Sequence, residues 1–334
     1  MSACETALVV GCGSIGTRHV RNLEQLGIKT IVVFDVDEEK RRATAERHDV
    51  VPVSSLDDGL GHGPDVTLIC VPNAYHVQIA RQAAEHGSHL FIEKPLSNDM
   101  TGVAELRETV EEQGLTAVVG CNLRFHPALR RIKELLSADR IGTVVAVRIE
   151  FGSYLPSWHP ENDYRERYSA RESLGGGVIL DHTHEIDYAR WLFGDVRTVS
   201  CFLDQASHLE IETEDTAALL LRFNDGTIGE LHLDYVQREY SRGCQVVGDE
   251  GTIRWTWGDG EVRWTTAETS SWNCDPVPTS WEFDRTYVDE LEHLLDCVAG
   301  EADPVCDLND GVAALRIALA AKESQRTGRH IDLA

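Results

Sequence analysis

A lysine stands where a buried strand ends. The strand-like run of residues 89–92 stops at Glu93, Lys94 and Pro95. In a parallel sheet the carboxyl end of a strand lies at the ligand crevice, and an amine placed there can exchange a proton with a substrate hydroxyl group. The alternative is a surface lysine paired with Glu93, although the chain has only five lysines.

A second cluster of chemistry-bearing residues follows three glycines in the segment 175–187. Asp181, His184 and Asp187 are spaced at i, i+3 and i+6, which predicts one shared helix face. An imidazole beside carboxylates is typical of general acid–base catalysis or of hydroxyl recognition. Asp181, His182 and His184 are also metal-ligand types, but no second cluster completes a set, so we expect no metal. A purely structural helix start is the remaining alternative.

The third feature is a glycine-rich turn after a strand of four apolar residues, 7–10. Gly11 suits the tight turn, Gly13 lets a pyrophosphate approach the backbone, and Gly16 lets helix and strand pack closely. The N-terminus of the following helix favours phosphate groups. The pattern predicts a dinucleotide site.

The ribose side of such a site is predicted at Asp35, which ends the second strand 19 positions after Gly16. A carboxylate there favours NAD, because it repels a 2′-phosphate. The cations Lys40, Arg41 and Arg42 leave NADP open.

Repeated strand–helix units over residues 1–122 predict a Rossmann domain with a parallel sheet. Residues 123–334 predict a second domain of the α+β class with a large, mostly antiparallel sheet. Asp225-Gly226 between two apolar runs indicates a hairpin, residues 266–281 read as a long loop, and the C-terminal helix, 310–326, is a candidate to pack on the first domain.

Alternating tryptophans at 255, 257 and 264 indicate a broad aromatic sheet face. With no sequence left to cover it, this face predicts a subunit interface. The alternative is a face covered by helices of the same chain.

Composition excludes several partner classes. A net charge of −25 argues against nucleic acid and anionic membranes, and with few lysines it suggests a surface adapted to high salt; a merely acidic enzyme is the alternative. Nine cysteines without a C-x-x-C pair predict buried, reduced thiols in a cytoplasmic protein. We also expect no signal peptide and no membrane span.

The segment 154–171 mixes aromatic residues with arginines. Aromatic rings stack on sugar faces, and arginines bind carboxylate or phosphate bidentately. The cluster predicts an anionic substrate such as a sugar acid or nucleotide sugar. The alternative is that Arg165, Arg171 and their neighbours pair with the abundant acids.

These motifs together resemble the glucose–fructose oxidoreductase / inositol dehydrogenase / MocA family over nearly the whole chain. The motifs are Gly11-x-Gly13-x-x-Gly16, Val71-Pro72-Asn73-x-x-His76, Glu93-Lys94-Pro95, Asn122-x-Arg124-Phe125-x-Pro127 and Gly-Gly-Gly-x-x-x-Asp181-x-x-His184-x-x-Asp187.

The resemblance implies NAD(P)-dependent oxidation or reduction of sugars, cyclitols or their derivatives, with Lys94 transferring the proton and with Asp181 and His184 at the substrate. It also implies that residues 123–334 form the substrate-binding and oligomerisation domain, with homodimers or homotetramers formed through its open sheet. The implied cofactor-binding residues are Gly11, Gly13, Ser14, Ile15, Gly16, Asp35, Pro72, Asn73, His76, Glu93 and Asn122. The implied substrate-binding residues are Lys94, Arg124, Tyr164, Arg165, Tyr168, Arg171, Asp181 and His184.

One spacing departs from many members of that family. The histidine follows Asp181 by three residues rather than four, which leaves His182 as the alternative working histidine. The shorter form resembles a branch associated with surface-sugar synthesis. The same family includes NAD-dependent glycosidases and dinucleotide-binding regulatory proteins, and both remain alternatives to a dehydrogenase.

Overall fold

The structure, a computed structural model, describes residues 4–269 and 271–333. The chain divides into two units: Met1–Asn122 with Phe283–Val312, and Leu123–Glu282 with Ala313–Ala334. The first border coincides with the predicted one. Residues 283–312 were expected in the second domain but lie in the first unit, so the second unit is not one continuous segment.

The strands form two sheets. The strands are β1 Thr6–Val10, β2 Thr30–Phe34, β3 Val51–Pro52, β4 Val66–Ile69, β5 His89–Glu93, β6 Ala117–Gly120, β7 Val144–Gly152, β8 Val196–Asp204, β9 Thr216–Phe223, β10 Ile228–Asp234, β11 Ser241–Gly248, β12 Gly251–Thr256, β13 Glu261–Thr266, β14 Asn273–Pro276 and β15 Ile331–Asp332. Strands of the first sheet, such as β4, are buried along their length, as in a sheet covered on both faces. Strands of the second sheet, such as β9, alternate between buried and exposed residues, as in a sheet covered on one face.

The helices begin at several recognisable caps. Asp37 accepts hydrogen bonds from two backbone N–H groups at the start of the second helix. The fifth helix begins at Val103, directly after Gly102, whose backbone is left-handed with φ +74°. The helices are α1 Ser14–Gln25, α2 Glu38–Arg47, α3 Leu56–Gly61, α4 His76–Glu85, α5 Val103–Glu112, α6 Pro127–Ser137, α7 Val178–Asp181, α8 Thr183–Phe193, α9 Arg285–Val298 and α10 Leu308–Thr327.

The sheet of the first unit has the order β3-β2-β1-β4-β5-β6, and all its paired strands are parallel. This order is that of a Rossmann fold, so the predicted fold is confirmed. Strands β1, β4 and β5 are neighbours, which brings their carboxyl ends to one stretch of the sheet edge.

The sheet of the second unit has the order β14-β13-β12-β11-β7-β10-β9-β8-β15. Its pairings are antiparallel except for β7 with β10, which confirms the mostly antiparallel sheet. The predicted hairpin joins β9 and β10. The predicted loop 266–281 contains β14, an edge strand too short to give a sequence signal, and Ser270 of that loop lies outside the described residues.

The tryptophan face of this sheet is covered. Trp255 is 4% exposed, and its ring centroid lies 5.1 Å from that of His126. The prediction that this face is left uncovered for a subunit interface is therefore wrong. The alternative, that residues of the same chain cover it, is correct. The opposite face is the open one, because Phe202 and Leu220 point away from the covered side and are 81% and 54% exposed.

Eight of the nine cysteine side chains are buried, as the sequence predicts for most of them, and Cys274 is exposed. Burial raises the pKa of the Cys4 and Cys201 thiols to about 12. Among the helices of the described residues, none combines the length and apolarity needed to cross a membrane.

Candidate active site

The glycine-rich turn after β1 has the steric features that a dinucleotide requires. A Cβ atom on Gly16 would lie 1.8 Å from the Gly11 carbonyl oxygen, and one on Gly11 (φ +103°) would lie 2.3 Å from the Cys70 oxygen. A Cβ atom on Gly13 would meet nothing within 4 Å. Gly11 and Gly16 are thus needed for packing, and Gly13 leaves open space in front of the backbone.

Helix α1 begins directly after Gly13, with Ser14 and Ile15 in its first turn, and Gly13 provides no side chain to cap it. The N–H groups of such a first turn are available to an anion, and the helix dipole favours negative charge there. The open backbone at Gly13 and this helix start together fit the pyrophosphate of a dinucleotide.

Asp35 is held at the end of β2 by the backbone. One carboxylate oxygen accepts a hydrogen bond from Cys12 N–H at 2.7 Å, and the other accepts from Asp37 N–H at 2.9 Å. The carboxylate is therefore fixed beside the glycine-rich turn. Burial, and then the charge of Asp35, raises the pKa of the Cys12 thiol to about 11.

Lys94 follows β5 at the same sheet edge and is partly exposed. Pro72, after β4, is also partly exposed, whereas Asn73 is 2% exposed. Because β4 and β5 are paired in register from Val66–His89 to Ile69–Ile92, the two turns that follow them are adjacent. Pro72, Asn73 and Lys94 therefore lie at one edge of the sheet.

His76 holds these two turns together. Its Nε2 lies 2.7 Å from the Val71 carbonyl oxygen and its Nδ1 lies 2.9 Å from that of Pro95. The ring is 1% exposed, and burial lowers its pKa. The expectation of a direct cofactor contact is corrected: the buried ring lies between the carbonyl oxygens of the two turns, so His76 positions the turns.

Two further predicted cofactor residues have partners that the sequence did not indicate. The Asn122 side-chain amide donates to Thr286 Oγ1 at 2.8 Å, and Glu93 Oε1 lies 2.6 Å from His19 Nε2. His19 is three residues after Gly16, on the first turns of α1, a spacing that could have drawn attention to it. Thr286 is 164 positions from Asn122, and no local signal connects the two.

In the second unit, the predicted single helix face is wrong. Asp181 ends α7, whereas His184 and Asp187 lie on α8, and His182 between them has φ −104° and ψ 36°. The backbone before this break packs closely against Tyr168, because a Cβ atom on Gly176 would lie 2.3 Å from the Tyr168 carbonyl oxygen.

Asp181 is 4% exposed and accepts hydrogen bonds from three hydroxyl groups. Ser169 donates at 2.7 Å and Tyr235 at 2.9 Å to one oxygen, and Tyr168 donates to the other. Burial, and then the charge of Asp181, raises the pKa of both tyrosines well above the usual value. The carboxylate therefore orders the surrounding hydroxyl groups, two of which (Ser169 and Tyr235) sequence reasoning missed.

The two candidate histidines differ in environment. His182 is 5% exposed and stacks on Phe151 with ring centroids 3.7 Å apart, and Trp158 and Tyr235 contact its edges. His184 lies in the first turn of α8 and is partly exposed. The structure thus favours His184 as the histidine that a substrate can reach.

Arg124 does not fit its predicted substrate role. It is 2% exposed, and its Nε and Nη2 atoms donate to the two carboxylate oxygens of Asp187 at 2.9 and 2.7 Å. This geometry contradicts a direct substrate contact, because the fork of donors is directed at a buried carboxylate. Both carboxylate oxygens of Asp187 accept hydrogen bonds in this ion pair.

The other arginines of the predicted anion cluster are paired with acids of the chain. Arg165 binds Asp163 and Glu210, with closest distances of 2.7 and 2.6 Å, and Arg171 binds Glu212 at 2.8 Å. The structure thus supports the alternative reading of this cluster. Tyr164, whose hydroxyl accepts from a backbone N–H, and the paired arginines keep a substrate role only as a prediction.

A parallel sheet of this order, with an open glycine-rich turn and a fixed Asp35 at the strand ends, defines a dinucleotide-binding domain. Residues 6–121 match the oxidoreductase family with an NAD-binding Rossmann fold, and residues 129–254 match the GFO/IDH/MocA C-terminal domain. The chain belongs to the Gfo/Idh/MocA family.

Its relatives include the uncharacterized oxidoreductase YrbE of Bacillus subtilis, 28% identical, with 97% of this chain and 95% of YrbE covered. The myo-inositol 2-dehydrogenase of Thermotoga maritima is also 28% identical, with 97% of each chain covered. Among solved structures, GenD2 from gentamicin A biosynthesis, in complex with NAD, has a TM-score of 0.84 at 25% identity, with 98% of this chain and 96% of GenD2 covered.

Proposed function

We propose that the protein is an NAD-dependent dehydrogenase or reductase that acts on a hydroxyl or keto group of a sugar, a cyclitol or a derivative of one. The observation that carries this proposal is the shared sheet edge of the first unit, where the open Gly13 backbone, the fixed Asp35 carboxylate and Lys94 meet. The 28% identity to a myo-inositol 2-dehydrogenase supports the substrate class.

In this proposal, bound NAD supplies the hydride acceptor for oxidation. Lys94 Nζ takes the proton of the substrate hydroxyl group. His184 hydrogen-bonds that hydroxyl group, and Asp181 orders the Tyr168 and Tyr235 hydroxyls around the substrate. Reduction is the same sequence in reverse.

A neutral polyol is a better candidate than an anionic substrate. The arginines that suggested an anion, Arg165 and Arg171, already bind carboxylates of the chain. The hydroxyl groups of Tyr168 and Tyr235 and the partly exposed His184 can form hydrogen bonds with the hydroxyl groups of a sugar, which need both donors and acceptors.

The same proposal includes NAD rather than NADP, a cytoplasmic protein, and a homodimer or homotetramer. Each cation near Asp35 has a partner within the chain, since Lys40 lies near Asp37, Arg42 near Glu46, and Arg41 donates to the Asp35 carbonyl oxygen. The open sheet face with Phe202 and Leu220 is the surface proposed for self-association.

The test is reduced-nicotinamide absorbance with NAD and a panel of cyclitols, sugars, sugar acids and nucleotide sugars. We expect turnover with a cyclitol or neutral sugar that Lys94→Ala abolishes. Lys29→Ala, which removes an exposed lysine paired with Glu5, is the matched control and keeps activity. NAD binding without net turnover of any compound would transfer support to the glycosidase or the regulatory alternative.

A further inference from the structure

Three titratable groups lie buried behind the turn that carries Lys94. His19 comes from α1, Glu93 from the end of β5 and Glu290 from α9. They are 0%, 8% and 1% exposed. One ring nitrogen and one oxygen of each carboxyl group all lie within 4.8 Å of one another.

Glu290 differs from the other two. His19 Nε2 and Glu93 Oε1 are hydrogen-bonded at 2.6 Å. Among the residues that the structure describes, neither carboxyl oxygen of Glu290 has a hydrogen-bond partner. An ionised carboxylate without a partner, buried beside a second carboxylate, is strongly unfavourable.

We propose that Glu290 keeps its proton at neutral pH and acts as a positioning residue that, with His19, fixes Glu93 and the turn carrying Lys94. With Glu290 neutral, the cluster holds a single carboxylate, that of Glu93, which accepts from His19. Burial, and then the charge of Glu93, raises the pKa of Glu290 well above its usual value.

Among the residues that the structure describes, the groups that face Glu290 and Glu93 include two thiols. Cys70, after β4, faces both carboxyl groups, and burial raises its thiol pKa well above the usual range; Cys12, after β1, adds a second thiol to this environment. The Tyr287 ring lies 6.2 Å from that of His19, and the Arg18 guanidinium lies over the Tyr287 ring, 4.5 Å from its centroid. The proton on Glu290 is therefore the simplest way to keep the cluster free of like-charge repulsion.

A metal ion is a weaker explanation for the same three groups. His19 and Glu93 bond each other directly at 2.6 Å, and an ion that used both would have to separate them. Metal analysis of the isolated protein decides this point. Stoichiometric metal that is lost in Glu290→Gln would overturn the assignment of a proton.

The protonation is tested by stability, which does not depend on the proposed function. Between the unfolded and folded pKa values of Glu290, the folded state binds one more proton than the unfolded state. The folding equilibrium constant contributed by this group therefore falls by up to about tenfold per pH unit as the pH rises above about 4.3. We expect urea titrations to show this fall in the wild type and its absence in Glu290→Gln.

Glu292→Gln is the matched control, because Glu292 lies on the same helix, is exposed and pairs with Arg285 at 3.2 Å. It should retain the wild-type pH dependence. Parallel pH curves for the wild type and Glu290→Gln would overturn the proposal. If Glu290→Gln fails to fold, infrared spectroscopy of the wild type replaces it: a carboxylic acid C=O band that persists at neutral pH supports the proposal, and its absence opposes it.

The effect on turnover rests on the proposed function. We expect kcat of the wild type to decline at high pH as Glu290 loses its proton. Glu290→Gln, which keeps shape and neutrality, should retain kcat within about twofold and lack this decline, whereas Glu290→Ala should lower kcat more than it raises KM. An inactive wild-type protein would count against the proposed function alone, because the stability result stands without it. A kcat loss in Glu290→Gln as large as in Glu290→Ala would overturn the positioning role of the proton.

Discussion

Arg124 and Asp187 form a bidentate ion pair in which both side chains are nearly inaccessible, at 2% and 3% exposure. Removing one partner of a buried pair leaves an uncompensated charge, which costs about 3–5 kcal/mol. We therefore expect Asp187→Ala to lower the free energy of unfolding by about this amount, measured by urea denaturation. Replacing both residues with apolar ones, Arg124→Met with Asp187→Leu, should recover much of the loss.

The control for this prediction is an exposed pair of the same chemistry. Arg171 and Glu212 lie 2.8 Å apart with side chains 43% and 50% exposed. Arg171→Ala should change the free energy of unfolding by only about 0–1 kcal/mol. Equal losses in Asp187→Ala and Arg171→Ala would contradict the distinction between the two pairs.

Two glycines of the same turn should respond differently to alanine. Gly16→Ala places a Cβ atom 1.8 Å from the Gly11 carbonyl oxygen, so we expect a loss of stability of at least about 1–3 kcal/mol. Gly13 has φ −74° and no neighbour within 4 Å of a built Cβ atom, so Gly13→Ala should fold as the wild type does.

Gly13→Ala should nevertheless bind NAD at least about tenfold more weakly, because the methyl group occupies the space in front of the backbone that the pyrophosphate approaches. Isothermal titration calorimetry measures the Kd, and thermal denaturation without NAD provides the stability control. Unchanged NAD affinity in a folded Gly13→Ala protein would place the pyrophosphate elsewhere.

Asp35 should determine the choice between NAD and NADP. A hydrogen bond to a charged group contributes about 1.5–3 kcal/mol, which corresponds to roughly a ten- to hundredfold change in affinity. We expect Asp35→Ser to weaken NAD binding by this factor while NADP binding is unchanged or improved. Asp57→Ser, which removes an exposed charge in the first turn of α3 and leaves the cations near Asp35 paired, is the control, so its NAD/NADP ratio should match the wild type.

The sequence predicted those parts of the fold and site that depend on local pattern. Apolar runs located the strands of the Rossmann sheet, and the spacing of Gly11, Gly13 and Gly16 located the turn. Asp35 was recognised because it ends a strand, a position that is fixed by the chain and not by distant contacts.

The contacts that the sequence could not supply join distant segments. Tyr235 reaches Asp181 from 54 positions away, and no periodic pattern marks such a contact. The break of the helix at His182 is also a tertiary effect, since Asp181 is held by hydroxyl groups from other elements. Arg165 pairs with Asp163 and Glu210. The sequence could not identify these two partners, because the chain contains many acidic residues that could pair with an arginine.

The net charge of −25 predicts that salt stabilises the folded protein. Repulsion among the acids is screened as the Debye length falls from about 10 Å at 0.1 M to about 3 Å at 1 M salt. We expect the melting temperature in KCl to rise over this range, and a gain of about 1 kcal/mol corresponds to roughly 2–4 °C for a chain of comparable domain size.

The same measurement near pH 5 separates charge screening from a general effect of salt on burial. The sequence pI is about 4.9, so the net charge and its self-repulsion are nearly absent there. Screening predicts that the KCl effect disappears near this pH, whereas an effect through solvent exclusion persists at both pH values. A melting temperature at neutral pH that stays constant or falls with KCl would contradict the hypothesis that the acidic surface is adapted to high salt. The repulsion that KCl screens would then be too small to affect folding.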